Sequence, residues 1–239
     1  MSNWYPRNPK ELNEILEKLI SQKLDIKPKG KINGIIVPHA GYQYSGAIAG
    51  KAFELLKDQP FKRAIVIGPD HYIGFKEFAS LNSINTPLGS PKISENPFQK
   101  TNYEHSIDNQ IPFIQKLNPE AEILPIIVGD VTEIQIKNLI EILIKKYYDS
   151  ETIFIISTDL SHFMPYQNAI KKDTNTIKII ETLDFKKISD LNACGKYPLN
   201  IAMNICRIKH WQPHLIEYKN SGDILPERNS VVGYASMYF

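Results

Sequence analysis

Four short apolar runs in this chain share one format: each is rich in Ile and Val and stops abruptly at small or polar residues. They are GIIVPHAGY (Gly34 to Tyr42), AIVIGPDHY (Ala64 to Tyr72), ILPIIVGD (Ile123 to Asp130) and IFIISTDLSHF (Ile153 to Phe163). Such runs, apolar without alternation, read as strands buried on both faces, as in a parallel sheet covered by helices. In open α/β sheets, ligands bind at the carboxyl ends of the strands. The pattern therefore predicts that His39, His71 and His162, each just past a run, gather on one rim although they are far apart in sequence.

Segments of helical periodicity fill the gaps. Leu12, Ile15, Leu16, Leu19 and Ile20 predict a helix over 8–22, after which Lys27 to Gly30 reads as a turn. Further helices are expected over Ser45 to Leu56, Ser106 to Leu117, Glu133 to Tyr147, Ala169 to Thr182 and Tyr197 to Ile208. The small residues of Ser45 to Gly50 suit close packing on a sheet, and Pro112 must kink its helix or mark a start. Strands are expected at Ile32 to Val37, Ala64 to Ile67, Ile123 to Val128, Ile153 to Ser157, His214 to Tyr218 and Ser230 to Tyr238. Phe75 to Gln99 is less regular, with a turn at Thr86-Pro87-Leu88-Gly89. Alternating strands and helices predict one α/β domain over residues 1–239, with a mostly parallel central sheet flanked by helices and an antiparallel edge from the terminal strands.

Composition excludes several classes of partner. A formal net charge of +2 gives no electrostatic reason to bind nucleic acid or an anionic membrane. No apolar stretch approaches the ~20 residues that span a bilayer, and MSNWYPRNPKELNEIL lacks the pattern of a signal peptide. A cytoplasmic location is expected, with Cys194 and Cys206 as reduced thiols. There is no Gly-x-Gly-x-x-Gly fingerprint, no Walker-type loop, no paired Cys-x-x-Cys and no Gly-x-Ser-x-Gly elbow.

The candidate chemistry lies at the strand ends. His39 (in PHAGY) and His71 (in GPDH) each read either as hydrogen-bonded structural residues or as metal ligands. As a pair from adjacent strands they suit a first-row transition metal. Asp70 orients an imidazole or caps the following turn. Asp159 and His162 share a face if a helical turn begins there, and Asp159 then caps it, holds His162 or ligates metal. Glu104 and His105 stand at a predicted helix start, where an acid is favourable on dipole grounds alone. Cys194 precedes a predicted helix, a setting that lowers a thiol pKa, whereas Cys206 falls inside it and reads as core. His210 and His214 flank Trp211 beside Pro213 and read as loop residues.

Taken together, PHAGYQYSG, GPDHY, TPLG, EHSIDNQIPF, STDLSHF, CGKYP and SVVGYASMYF resemble the motifs of the Memo family, in prokaryotes the AmmeMemoRadiSam system protein B family, in family order from residue 38 onward. The resemblance implies a fold like the class III extradiol dioxygenases and a pocket whose metal-binding trio is His39, His71 and Cys194. It implies that Asp159 and His162 line the pocket, with His162 as acid/base. It further implies copper or iron, redox control, and association with radical-SAM and AMMECR-type proteins. A thiol in place of a carboxylate softens the ligand set toward Cu(I) and exposes the sulfur to oxidation, which argues against routine ring cleavage.

The expectation is thus a metal-dependent protein, an oxidoreductase if it is an enzyme, that receives a small organic molecule beside iron or copper. The rival is a module that binds a peptide or partner protein in the same pocket. Tyr42, Tyr44, Tyr72 and Phe163 serve either as rim aromatics, and Asp70, Glu104 and His105 complete the predicted lining.

Overall fold

The computed structural model describes residues 4–24, 26–28 and 30–239. Part of the expected Lys27–Gly30 turn, Lys29, lies outside the described residues, as do Met1 to Asn3 of the N-terminal stretch read for a signal peptide.

Helix α1 (Pro9–Ile20) starts where Asn8 accepts the N–H groups of Lys10 (2.9 Å) and Glu11 (3.2 Å), with Pro9 pre-set for the first turn. Its stripe of Leu12, Leu16 and Ile20 is buried, each side chain contributing roughly 1.5–3 kcal/mol of transfer free energy. Strand β1 (Gly34–Val37) leads through a wide turn at Tyr42–Gly46 into α2 (Ala47–Glu54). The small residues of α2 serve a helix more than the sheet: a Cβ on Gly50 would fall 2.1 Å from the Leu19 carbonyl oxygen, so glycine lets α1 and α2 meet.

Strand β2 (Arg63–Pro69) is followed by β3 (Phe78–Leu81) and a short β4 (Gln99–Thr101), which give the irregular stretch its structure. The helix expected over Ser106 to Leu117 is two helices, α3 (His105–Asp108) and α4 (Ile111–Leu117), with Asn109 and Gln110 between them. Pro112 stands in the first turn of α4, so it marks a start. Strand β5 (Glu122–Val128) precedes α5 (Glu133–Ile142), which opens on a reciprocal Thr132–Gln135 capping box. The chain then runs through β6 (Thr152–Ser157), α6 (Tyr166–Glu181), α7 (Lys196–Lys209), β7 (His214–Asn220) and β8 (Gly233–Tyr238).

The eight strands form one sheet in the order β4-β3-β5-β2-β6-β1-β8-β7. The central β5, β2, β6 and β1 are parallel, while β8 runs antiparallel to β1 and β7 antiparallel to β8 at the edge, as expected. Side chains alternate between two cores. Ile36, Ile67, Ile126 and Ile156 pack with α5, α6 and α7. Ile35, Val66, Ile127 and Ile155 pack with α1, α2 and α4. Among the described residues no helix is long and apolar enough to cross a membrane.

Four parallel strands end on one edge, and this builds the rim. One expectation about it fails: β1 and β2 are not adjacent, because β6 lies between them, pairing Ser157 with Val37 and Ile156 with Ile67. His39 and His71 therefore straddle the end of β6, which delivers Ser157, Thr158 and Asp159 into the gap.

Candidate metal centre

His39 is buried, at 2 % exposure, and held from three sides. Its N–H donates to Asp159 Oδ1 (2.8 Å), its ring Nδ1 lies 3.0 Å from Ser157 Oγ, and its Nε2 lies 3.4 Å from Cys194 Sγ. Gln110 fixes the serine, its amide donating to Ser157 Oγ (2.9 Å) and to the Pro38 carbonyl (3.0 Å). The serine hydroxyl then serves either ring tautomer: it donates to a bare Nδ1 or accepts from Nδ1–H, which leaves a lone pair on Nε2 beside the sulfur. Burial, with the neighbouring His105 and His71, holds the His39 pKa well below its ordinary value, so the ring is neutral and able to ligate.

His71 is oriented by Glu104, which accepts the His71 N–H at Oε2 (2.8 Å) and faces ring Nδ1 with Oε1 (2.9 Å). A carboxylate on Nδ1–H directs the Nε2 lone pair outward, the usual arrangement behind a ligating imidazole. Glu104 also caps α3 through the Ser106 N–H (2.9 Å). Burial pushes its carboxyl pKa up, but the hydrogen bonds from His105, His71 and Ser106 outweigh this and hold it well below the usual carboxylate range. Asp70 does not orient the ring: its oxygens accept the N–H groups of Tyr72 and Ile73 (3.0 Å each) and Phe75 (2.7 Å), capping the loop.

Cys194 comes from the turn before α7 and docks on the end of β6. Its sulfur accepts the Asp159 N–H (3.2 Å), and the next residue's N–H donates to Thr158 Oγ1 (2.9 Å). A Cβ on Gly195 would fall 2.5 Å from the Thr158 side chain, so only glycine lets this turn sit so close. The lowered thiol pKa expected from the nearby helix start is absent. Burial and the Asp159 charge push the thiol up to about 12, which makes it a neutral thiol until a cation replaces its proton. Single donor atoms from His39, His71 and Cys194 all lie within 4.8 Å of one another, two imidazoles and a thiol that fit a thiophilic first-row ion.

The segment from Thr158 to Phe163 is not helical, and α6 begins only at Tyr166 behind Pro165. Asp159 therefore caps no helix there, and its hydrogen bond goes to His39. His162 is held instead by the Leu160 carbonyl, which accepts from Nδ1 (2.9 Å), so the neutral ring keeps its lone pair on Nε2. The loop is anchored below by Ser161, whose N–H and hydroxyl both donate to Asp173 of α6 (2.9 and 3.0 Å). Phe163 beside it has φ 58 and is 77 % exposed.

Of the expected rim aromatics, Tyr72 stands at the surface with its hydroxyl 2.9 Å from His105 Nδ1. Tyr42 does not line the opening: it is buried against Phe113 and donates to the Asn109 carbonyl (2.9 Å). Sequence reasoning missed Trp4, whose ring stacks on His105 at 4.5 Å between centroids. It also missed Ser157, Gln110 and Asp173, whose roles depend on strand order and on a helix packing behind the loop.

Fold and site define an α/β protein with a two-histidine, one-thiol cluster on the carboxyl rim of its sheet. A family model described as Memo-like protein matches residues 2–238, and the chain belongs to the Memo family. It is similar to MEMO1 family proteins of Archaeoglobus fulgidus (30 % identity, covering 99 % of this chain and 96 % of the relative) and Thermoplasma acidophilum (31 %, covering 98 % and 94 %). A MEMO1 family protein of Sulfurisphaera tokodaii is 31 % identical over 88 % of this chain and 84 % of its own length.

Proposed function

We propose that this protein binds one iron or copper ion through His39, His71 and Cys194 and acts by redox chemistry on a small organic molecule in a dioxygenase-like pocket. One observation carries the reading: the three donors lie within 4.8 Å of one another while each imidazole Nδ1 already has its own partner, Ser157 or Glu104. The ion would supply one-electron chemistry and Lewis acidity. The chain supplies the rest: Glu104 and Ser157 orient the rings, and His162 Nε2 takes or returns a proton, its ring fixed by Leu160.

A cytoplasmic location belongs to the same proposal, in keeping with two free cysteines. So does functional association with radical-SAM and AMMECR-type proteins, which rests on the resemblance to prokaryotic family members. Use of the same rim by a peptide or partner protein is the second reading, favoured by the exposed rings of Phe163 (77 %) and Tyr72 (54 %).

Anaerobic titration with Fe(II) and with Cu(I) tests the metal reading. One ion per chain is expected, with Cu(I) uptake lost in His39→Ala and Cys194→Ala and retained in His162→Ala. No uptake of any first-row ion under reducing conditions overturns it.

A further inference from the structure

We propose a second metal position, built by His71, Glu104 and His105, that takes harder divalent ions such as Mn(II) or Fe(II) and competes with the thiol-containing position. Donor atoms of these three residues also lie within 4.8 Å of one another. Glu104 Oε1 is 2.9 Å from His71 Nδ1 and 3.2 Å from His105 Nδ1. Neighbouring donors on an ion with bonds of about 2.1 Å are roughly 3.0–3.4 Å apart, close to the two Glu104 spacings, while the two imidazole donors lie within 4.8 Å of each other. Two ring nitrogens and a carboxylate oxygen that converge in this way require cations between them, and either protons or a metal ion fills that need.

The cluster is also built to stay in place. Glu104 is 1 % exposed and tied to the N–H groups of His71 and Ser106, and the Trp4 ring stacks on His105, whose Nδ1 would exchange its Tyr72 hydroxyl contact for the ion. His71, the most open of the three, leaves a route in, with its side chain 26 % exposed. Two imidazoles and a carboxylate are the ligand type of Fe(II) and Mn(II), whereas a set with Cys194 favours Cu(I). The two positions share His71, using Nδ1 in one and Nε2 in the other. Filling both at once would require the ring to lose both protons and bridge two cations at close range, so an ion on one side disfavours an ion on the other. Ion hardness thus selects the side of His71 on which the metal sits.

The test uses the full chain without oxygen, with Mn(II) binding followed by electron paramagnetic resonance and Cu(I) binding by competition with a coloured chelator. A crossed pattern is expected. His105→Ala weakens Mn(II) at least tenfold more than Cu(I), and Cys194→Ala does the reverse, within the roughly 10–100-fold range of shell mutations. Cu(I) also expels Mn(II) from the unaltered protein. Because His105→Ala loses the Trp4 stack, a second measurement avoids that variant: the Mn(II) spectrum of Cys194→Ala superimposes on that of the unaltered chain. Failure to bind Mn(II) or Fe(II), equal loss of Mn(II) in Cys194→Ala, or undiminished Mn(II) in His105→Ala overturns the proposal. The reading above depends on the Cu(I) arm, so loss of Cu(I) binding with the Mn(II) pattern intact sinks that reading and supports this one.

Discussion

Glu104 grips His71 at two points, taking its backbone N–H at Oε2 (2.8 Å) and meeting its ring Nδ1 with Oε1 (2.9 Å). The same carboxylate caps α3, so a helix start and an imidazole orientation are one structural decision. That coupling gives the acid a role that a surface cap would not have.

Glu104→Gln is accordingly expected to weaken Cu(I) binding at the thiol-containing position by roughly 10–100-fold, the usual effect of removing a carboxylate behind a ligating imidazole. An amide oxygen in the Oε1 position still accepts the Ser106 N–H and faces His71 Nδ1, so the helix cap survives, and what is lost is the negative charge behind the ring and the acceptor for the His71 N–H. Anaerobic calorimetry on both proteins measures the weakening. Equal affinities would show that Glu104 is only a cap.

Gly195→Ala should act through Thr158. The added methyl meets Thr158 Cβ and Oγ1 at 2.5 Å, and Thr158 at the buried end of β6 has little room to yield. Overpacking of this kind costs about 1–3 kcal/mol. Urea unfolding reads that loss, and metal titration reads the displacement of Cys194. Wild-type stability with wild-type uptake would contradict the close docking.

Much of this was legible in the sequence, because burial on both faces leaves strand runs that are apolar throughout. Those runs located β1, β2, β5 and β6 and placed His39, His71 and His162 on one rim. Strand order was not legible: nothing within a run says which run lies beside it, so the insertion of β6 between β1 and β2 emerges only in three dimensions. The same gap hid Gln110 and Ser157, which meet only because of that order. Asp70 misled for a local reason, since an acid beside a histidine resembles an orienting partner, yet three backbone N–H groups claim it first. Cys194 stands just before a helix, as its sequence context predicts, but burial outweighs the helix start in setting its acidity.

Acid stability should report the pair at the far end of the sheet, where Arg63 donates to Glu122 Oε2 at 3.1 and 3.0 Å. Burial raises the Glu122 carboxyl, but the Arg63 guanidinium and Lys92 hold it below its ordinary value. A carboxyl with a depressed folded-state pKa stabilises fully above its unfolded value, about 4.3, and loses that contribution as pH falls through the folded value. Glu122→Gln is therefore expected to be less stable by at most about 1 kcal/mol near neutrality, with the difference shrinking between neutral pH and a pH below the ordinary carboxylate range. Chemical unfolding of both proteins at the two pH values checks this, and a gap that persists in acid would assign the loss to packing.

Asp173 offers the sharpest separation of scaffold from site. It is fully buried in the middle of α6 and accepts the Ser161 N–H (2.9 Å), the Ser161 hydroxyl (3.0 Å) and the Tyr218 hydroxyl (2.8 Å). Asp173→Ala leaves the buried Ser161 N–H and hydroxyl and the half-buried Tyr218 hydroxyl without this acceptor and opens a cavity, and a loss of about 2–4 kcal/mol is expected. Asp173→Asn keeps an acceptor oxygen for some of these donors and should lose less. Neither change touches the loops that carry His39, His71 and Cys194, so ion stoichiometry should stay at one per chain while the His162 loop loosens. Hydrogen exchange at Ser161 and His162 measures that loosening directly. If metal uptake falls in step with stability, the His162 loop and the ligand cluster form one cooperative unit, and the separation argued from Asp173 fails.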